Sequence, residues 1–230
     1  MLVWKRVCGV NAAVDVLYNV YLNGRHVDAI VASPGLEVEL ALGYLAYKCF
    51  PREAIRGARV WVDGNRLLVE VDESRRGEGC KRVESTVEVG VEDVRLVVDL
   101  LVEATKVVKK RGVALHSGIA FPAPFRPRFP AVILHDVSRH SLVEKMVGAI
   151  IRFGKNAKIV AITGRADAGM IDTCSVAGVE VVVVWRNPML SGILRAEKLG
   201  ITIVYVRRDT VKALTHPQRI TSQHPTTKSL

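Results

Sequence analysis

The residues best placed to do chemistry gather in short polar segments, each following an apolar run. His135-Asp136-Val137-Ser138-Arg139-His140-Ser141 brings two imidazoles, a carboxylate and a guanidinium together, Thr163-Gly164-Arg165-Ala166-Asp167 sets a glycine beside an arginine, and Trp185-Arg186-Asn187-Pro188 sets an arginine beside an amide. In open α/β sheets ligands lie where strands end and helices begin, because the free N–H groups of a helix start attract anions. A glycine there lets the backbone approach closely, and arginines suit phosphate or carboxylate. The segments point to an anionic ligand, with Arg139, His140, Gly164, Arg165 and Asn187 as candidate contacts. A plain Asp136–Arg139 ion pair is the structural alternative at the first. His116, inside the apolar run Ala114 to Ile119, is either a ligand contact or a buried group satisfied by a hydrogen bond.

The elements that must position these residues follow from periodicity and turn chemistry. Val14 to Leu22 and His26 to Ala32 are β-prone and separated by Asn23-Gly24, which predicts a hairpin with a type I′ turn. Ser33-Pro34 reads as an N-cap and first turn, with a helix continuing to about Lys48. Ala58 to Val62 and Arg66 to Val71, joined through Asp63-Gly64, form a second hairpin. Residues 72–84 are polar and lack apolar periodicity, which predicts a loop. Val94, Val97, Val98, Leu101, Ala104, Val107 and Val108 mark a long helix over Val91 to Lys110.

Beyond it, strands are expected at Val113 to Phe121, Ala131 to Val137, Ile159 to Thr163, Val179 to Trp185 and Ile201 to Val206. Helices are expected at about Arg139 to Phe153, Ala168 to Ala177 and Pro188 to Lys198. Several strands are continuous apolar runs, as expected where both sheet faces are covered. The four prolines of residues 122–130 require an extended connection. The expected organisation is an N-terminal mixed β/α lobe over residues 1–90, with a polar loop at 72–90, and an α/β lobe over 91–230.

The chain has 230 residues, 49% hydrophobic and 24% charged, which excludes disorder as its main state. No apolar run approaches a membrane span and no signal peptide is evident, so the expected location is the cytoplasm. A formal charge of +10 favours anionic partners, while 6% aromatic residues and the lack of a nucleic-acid module argue against nucleic acid. Enrichment in Val, Ile, Arg and Lys would suit a hot-living organism. The four cysteines, Cys8, Cys49, Cys80 and Cys174, form no C-x-x-C pair, so neither a disulfide scaffold nor a metal site is expected. Cys8, Cys49 and Cys174 read as core residues. Cys80 stands in the polar loop among Arg75, Arg76, Lys81 and Arg82, cations that would favour its thiolate; an incidental surface thiol is the alternative.

Several strings resemble one family in fixed order. His135-Asp-Val-Ser-Arg-His-Ser-Leu-Val-Glu-Lys-Met-Val-Gly148 is similar to the E-D-V-G-R-H-N-A-V-D-K-V-I-G segment of the FdhD family, the accessory sulfurtransferases of formate dehydrogenase. Thr163-Gly-Arg165 with Met170 resembles its S-G-R-x-S-x-E-M, Asn187-Pro188 its A-P-T, and Leu214-Thr-His-Pro-Gln-Arg-Ile220 its Y-T-H-P-x-R-I. Upstream, Asn23-Gly24, Ser33-Pro34 and Glu39-Leu-Ala-Leu-Gly-Tyr-Leu45 resemble its V-N-G and T-P-x-x-x-E-L-A-L-G-F-L. The resemblance implies an α/β fold with a cytidine-deaminase-like C-terminal lobe, a smaller mixed α/β N-terminal lobe, and a homodimer. It implies that sulfur comes from a cysteine desulfurase and goes to the bis-molybdopterin guanine dinucleotide cofactor, holding molybdenum or tungsten, of the formate dehydrogenase catalytic subunit. Tyr205, Val206, Arg207 and Arg208 match the family's G-F-x-R cofactor-binding segment loosely.

One departure bears on the chemistry. Where the family carries S-C-G-x-C-G, this chain has Ser85-Thr86-Val87-Glu88-Val89-Gly90, so Thr86 and Val89 replace the cysteines. Only a thiolate can accept and pass on sulfur, which leaves Cys80 as the candidate catalytic residue. The alternative is a paralogue that binds and carries the cofactor without sulfur transfer. A zinc deaminase is excluded, because Ser117-Gly118 follows His116 where H-x-E is required and no P-C-x-x-C exists.

Overall fold

The computed structural model describes residues 4–77, 79–85, 87–155, 157–208 and 210–221. In chain order the elements are β1 (Trp4–Val7), β2 (Val10–Ala13), β3 (Val16–Leu22), β4 (Arg25–Ala32), α1 (Glu37–Tyr47), α2 (Arg52–Gly57), β5 (Arg59–Asp63), β6 (Arg66–Glu70), β7 (Val89–Gly90) and α3 (Val91–Lys109). There follow β8 (His116–Pro122), β9 (Val132–Asp136), α4 (Arg139–Arg152), β10 (Ala157–Ile162), α5 (Ala168–Val176), β11 (Val181–Val184), α6 (Leu190–Leu199), β12 (Thr202–Arg207), β13 (Thr210–Ala213) and β14 (Ile220–Thr221). The fold is mixed α/β. Among the described residues no helix is long and apolar enough to cross a membrane.

Two sheets organise the chain. The first has the order β4-β3-β6-β5, and the second β13-β12-β11-β10-β8-β9, with β10, β11 and β12 mutually parallel. The expected first hairpin forms, and Asn23 and Gly24 both take positive φ (48° and 80°) at its turn. The second hairpin turns one residue later than expected: Asp63 still pairs with Arg66, so the two-residue connection is Gly64-Asn65. The hairpin of β1 and β2, joined through Cys8-Gly9, was not legible in the sequence.

Strict alternation along the second sheet gives it two apolar faces. Ile159, Ala161, Val181, Val183, Val204 and Val206 meet Val94, Val97 and Leu101 of α3. Val160, Ile162, Val182, Val184 and Ile203 face a larger core containing Met146 of α4, Ile171 of α5 and Ala196 of α6, continuous with α1 and the first sheet. The contact between α1 and α4 is closest at two glycines. A Cβ on Gly43 would overlap the Glu144 carbonyl, and one on Gly148 would overlap the Glu39 carbonyl, so these backbones can touch only because both side chains are missing.

Three expectations are corrected. Ser33 does not cap α1, which starts at Glu37 after Leu36 in the left-handed conformation (φ 62°) without a side-chain cap. Ser33 instead joins a buried knot: its N–H donates to Asp136 (3.1 Å), its hydroxyl accepts from the Val137 N–H (3.1 Å), and its carbonyl accepts from Lys145 Nζ (2.5 Å). Asp136 pairs with Lys145 (2.7 Å), not with Arg139; the two are 0% and 3% exposed. Third, Cys49 and Cys80 are joined by a disulfide, which the spacing of the cysteines did not reveal, while Cys8 is exposed and only Cys174 lies in the core as expected.

Glu144 also lies at the α1–α4 contact, buried, with no hydrogen-bond partner for its Oε2 among the described residues. Burial pushes its carboxyl up to about 7. A carboxyl raised in the folded state binds its proton more tightly there than in the unfolded chain, so stability falls as pH climbs from the ordinary carboxylate range toward 7. Glu144→Gln removes this loss. Urea unfolding is expected to show the variant gaining on wild type by roughly 2–3 kcal/mol between pH 5 and pH 8, the cost of burying the amide being the same at both and cancelling from the difference.

Candidate functional site

The topology brings the polar segments to one end of the second sheet. β10, β11 and β12 run parallel and release Thr163-Gly164-Arg165, Trp185-Arg186-Asn187 and Arg207 at the same edge. β8 runs antiparallel to β10, so its first residue, His116, returns there; β9 delivers Asp136 opposite His116, and α4 then opens with Arg139. The end of α3 contributes Thr105 and Lys109. The result is an open chamber of about 800 Å³ whose lining holds Lys109, Arg139, Arg165, Arg186 and Arg207 and no carboxylate among the described residues. Trp185 and Tyr205 lie on its wall.

Local chemistry explains why these side chains stay in place. Asp136 Oδ1 accepts the Ser138 N–H (2.9 Å), and Ser138 in turn caps α4 by accepting the Ser141 N–H (3.3 Å). Asp167 caps α5 through the Met170 N–H (3.1 Å) and holds Arg139 (3.3 Å) and His140 Nε2 (2.7 Å). Burial alone would raise its carboxyl, but those bonds and the Arg139 charge hold it below the usual value. Thr163 and Ser117 tie β10 to β8, the Ser117 N–H donating to Thr163 Oγ1 (3.0 Å) and the Thr163 N–H to the Ser117 carbonyl (3.0 Å). A Cβ on Gly164 would stand 3.2 Å from the Arg139 Cβ and 3.8 Å from His116 Nδ1, so the missing side chain lets Arg139 cross the turn. Burial, and then the Arg139 charge, lower the His116 pKa, leaving a neutral imidazole that can donate and accept.

A second cavity of about 470 Å³ shares Thr105, Lys109, Leu115 and His116 with the chamber and continues over Val108, Val113 and Val137. Charged at one side and apolar at the other, the combined cleft suits a ligand with phosphates at one end and an uncharged portion at the other.

Of the residues singled out from sequence, His116, Arg139, Gly164, Arg165, Asn187, Tyr205 and Arg207 line the chamber. His140 does not; it is held on Asp167 just behind Arg139. Val206 is 3% exposed on the α3 face of the sheet, because alternation turns it away from Tyr205 and Arg207. Arg208 is exposed outside the chamber with φ 49°. Lys109 and Arg186 were not singled out. Arg186 shared the signal used for Asn187, whereas nothing local marked Lys109, whose role depends on where α3 ends.

Cys80 is not among the residues that line this chamber. Its loop runs along the opposite end of the parallel strands, where the Val83 N–H donates to the Leu199 carbonyl (2.8 Å) and Ser85 meets Glu180 just before β11. Bonded to Cys49, Cys80 has Sγ 3.5 Å from the Asp172 carbonyl oxygen. Val89 is fully buried and pairs with Ile220, while Thr86 lies outside the described residues.

Residues 79–221 match the sequence pattern of the FdhD/NarQ family, well over half of the chain. The chain belongs to the FdhD/NarQ family. It is 25% identical over 228 residues to the sulfur carrier protein FdhD of Methanothermobacter thermautotrophicus, covering 90% of each chain. It is 24% identical over 228 residues to that of Sulfolobus acidocaldarius, again covering 90% of this chain and of the relative. With the Thermoplasma volcanium protein of the same name it shares 29% identity over 109 residues, 46% of this chain and 38% of that protein's length. The solved structure of a formate dehydrogenase accessory protein from Desulfotalea psychrophila has the same fold, with a TM-score of 0.77 at 18% identity over 96% of this chain and 98% of the other.

The Cys49–Cys80 bond closes a loop of 31 residues between the end of α1 and the polar segment. Opening it is expected to lower the unfolding free energy by about 4 kcal/mol on the chain-entropy model. Urea unfolding with and without a thiol reductant, with alkylation to count free thiols, checks this.

Proposed function

We propose that this protein serves formate dehydrogenase maturation by binding bis-molybdopterin guanine dinucleotide, with molybdenum or tungsten, as its substrate in the cleft and transferring sulfur to it. The observation that carries the reading is the chamber with five cationic side chains and no carboxylate among the described residues of its lining. Several phosphates and few other ligands would balance that charge, and the apolar continuation over Val108, Val113 and Val137 accommodates an uncharged ring system. Arg165, Arg186 and Arg207 would hold phosphates, Arg139 would be presented by Asp167, and His116 would offer a neutral hydrogen-bonding edge. Family membership supports the same substrate, and with it a cytosolic setting and a homodimer. It also supports a deaminase-like reading of the lobe that begins near α3.

Sulfur would be carried on Cys80. With the bond to Cys49 opened by a thiol reductant, the Cys80 thiolate attacks the terminal sulfur of a cysteine desulfurase persulfide. The donor's S–S bond breaks, its thiolate leaves, and a Cys80 persulfide forms. A second reading, a carrier that binds the cofactor without sulfur transfer, is favoured by Val89 at a family cysteine position and by the engagement of Cys80 with Cys49.

Calorimetric titration with GDP, a fragment of the cofactor, tests the shared pocket. Wild type is expected to bind, and Arg165→Ala to bind about 10- to 100-fold more weakly, the value of a charge-assisted phosphate contact. Absence of GDP binding by wild type would overturn both readings. Intact mass and a sulfide assay after incubation of reduced protein with a desulfurase and cysteine separate them: sulfur taken up by wild type, whether retained as one added atom or released as sulfide, and neither outcome with Cys80→Ala supports transfer, and neither outcome with either protein supports the carrier.

A further inference from the structure

Persulfide sulfur and the sulfido ligand of a metal cofactor differ in oxidation state by two electrons. A carrier with one thiol can deliver the atom but cannot reduce it. In this protein Cys80 has a second sulfur in bonding position: Cys49, both residues half-buried, joins it across 31 residues of sequence, with Cα atoms 4.8 Å apart. The arrangement is held from several sides. Cys49 follows the end of α1 with its backbone at φ 59°, and the Cys49 N–H donates to the Ala46 carbonyl (2.9 Å). On the other side, Cys80 lies against the Asp172 carbonyl, and Asp172 is fixed by Arg195 (2.5 Å). The Arg76 guanidinium stands 5.6 Å over the ring of Phe50, the residue after Cys49, and an Asp172 carboxylate oxygen lies within 4.8 Å of both sulfurs.

We propose that Cys49 is the resolving residue of a two-thiol sulfur reductase step, discharging the Cys80 persulfide as hydrosulfide. The inference rests on the reading of Cys80 as the sulfur carrier. The Cys49 thiolate attacks Cys80 Sγ, the bond from Sγ to the terminal sulfur breaks, and that sulfur leaves with the electron pair as hydrosulfide. The Cys49–Cys80 bond forms in the same step. Two thiols are oxidised to a disulfide while one sulfane sulfur is reduced to the level of sulfide, so the step balances without an outside oxidant. The bonded pair is then the state reached after delivery, and two equivalents of a monothiol, or one dithiol, return it to the start.

The test uses reduced full-length wild type, Cys49→Ser and Cys49→Gly, each loaded with a cysteine desulfurase and cysteine, desalted, and followed by intact mass and a sulfide assay. Cys49→Gly is included because glycine accepts the backbone conformation at this position without strain. Wild type is expected to end as the disulfide with one sulfide released per disulfide formed. Both variants are expected to retain one extra sulfur on Cys80 and to release sulfide at least tenfold more slowly. Release from both at the wild-type rate would overturn the resolving role while leaving Cys80 as carrier. No sulfur uptake by the Cys49 variants would overturn the carrier reading, and the resolving role with it.

Discussion

The Lys145–Asp136 pair is the constraint on which the rest of the structure depends. Both side chains are out of solvent, and an ion pair so placed is tolerated only when its remaining polar atoms are satisfied. Ser33 does this by giving an N–H to Asp136 and a carbonyl to Lys145, so the end of β4, the end of β9 and the middle of α4 meet at one point. Removing one partner would strand a buried charge, at a cost on the order of 3–5 kcal/mol. The same carboxylate receives the N–H of Ser138, the residue that caps α4, and therefore sets where that helix starts. Arg139 is its first residue. A contact deep between two sheets thus decides where a guanidinium emerges at the chamber.

Much of this was legible from local signals. Continuous Val and Ile runs announced the buried parallel strands, Asn23-Gly24 announced a hairpin, and the strand-to-helix junctions announced where the cationic side chains gather. What escaped had non-local causes. Ser33-Pro34 has the composition of a helix start, yet Ser33 is claimed by Asp136, more than a hundred residues away, and the helix starts later. Asp136 and Arg139 have the spacing of an ion pair, but Lys145 and Asp167 outcompete them because tertiary packing brings those groups closer. Val206 looked equivalent to its neighbours until strand alternation sent it to the opposite face. The Cys49–Cys80 bond depends on how a loop without periodicity folds back over α1, and spacing carries no trace of that.

The thiol pair and the chamber occupy separate places. The loop bearing Cys80 passes the ends where the parallel strands begin, and the chamber lies where they finish. α3 covers the sheet between these levels, its 19 residues spanning about 28 Å at the rise of an α-helix. Cys80 itself packs against α5, on the face of the sheet away from α3, with its Sγ 3.5 Å from the Asp172 carbonyl oxygen, and it is not among the residues that line the chamber.

The lining without acids has a consequence for the life of the protein. Arg165, Arg186, Arg207 and Lys109 repel one another across the chamber, and no carboxylate among the described residues relieves them. Whatever polyanion enters acts as the missing counter-ion and so becomes part of what holds the sheet end together. A filled protein would then be the sturdier one, and an empty copy would open more often at this end and meet proteases sooner. Abundance of the protein in a cell would then follow the supply of its ligand, with no dedicated regulator.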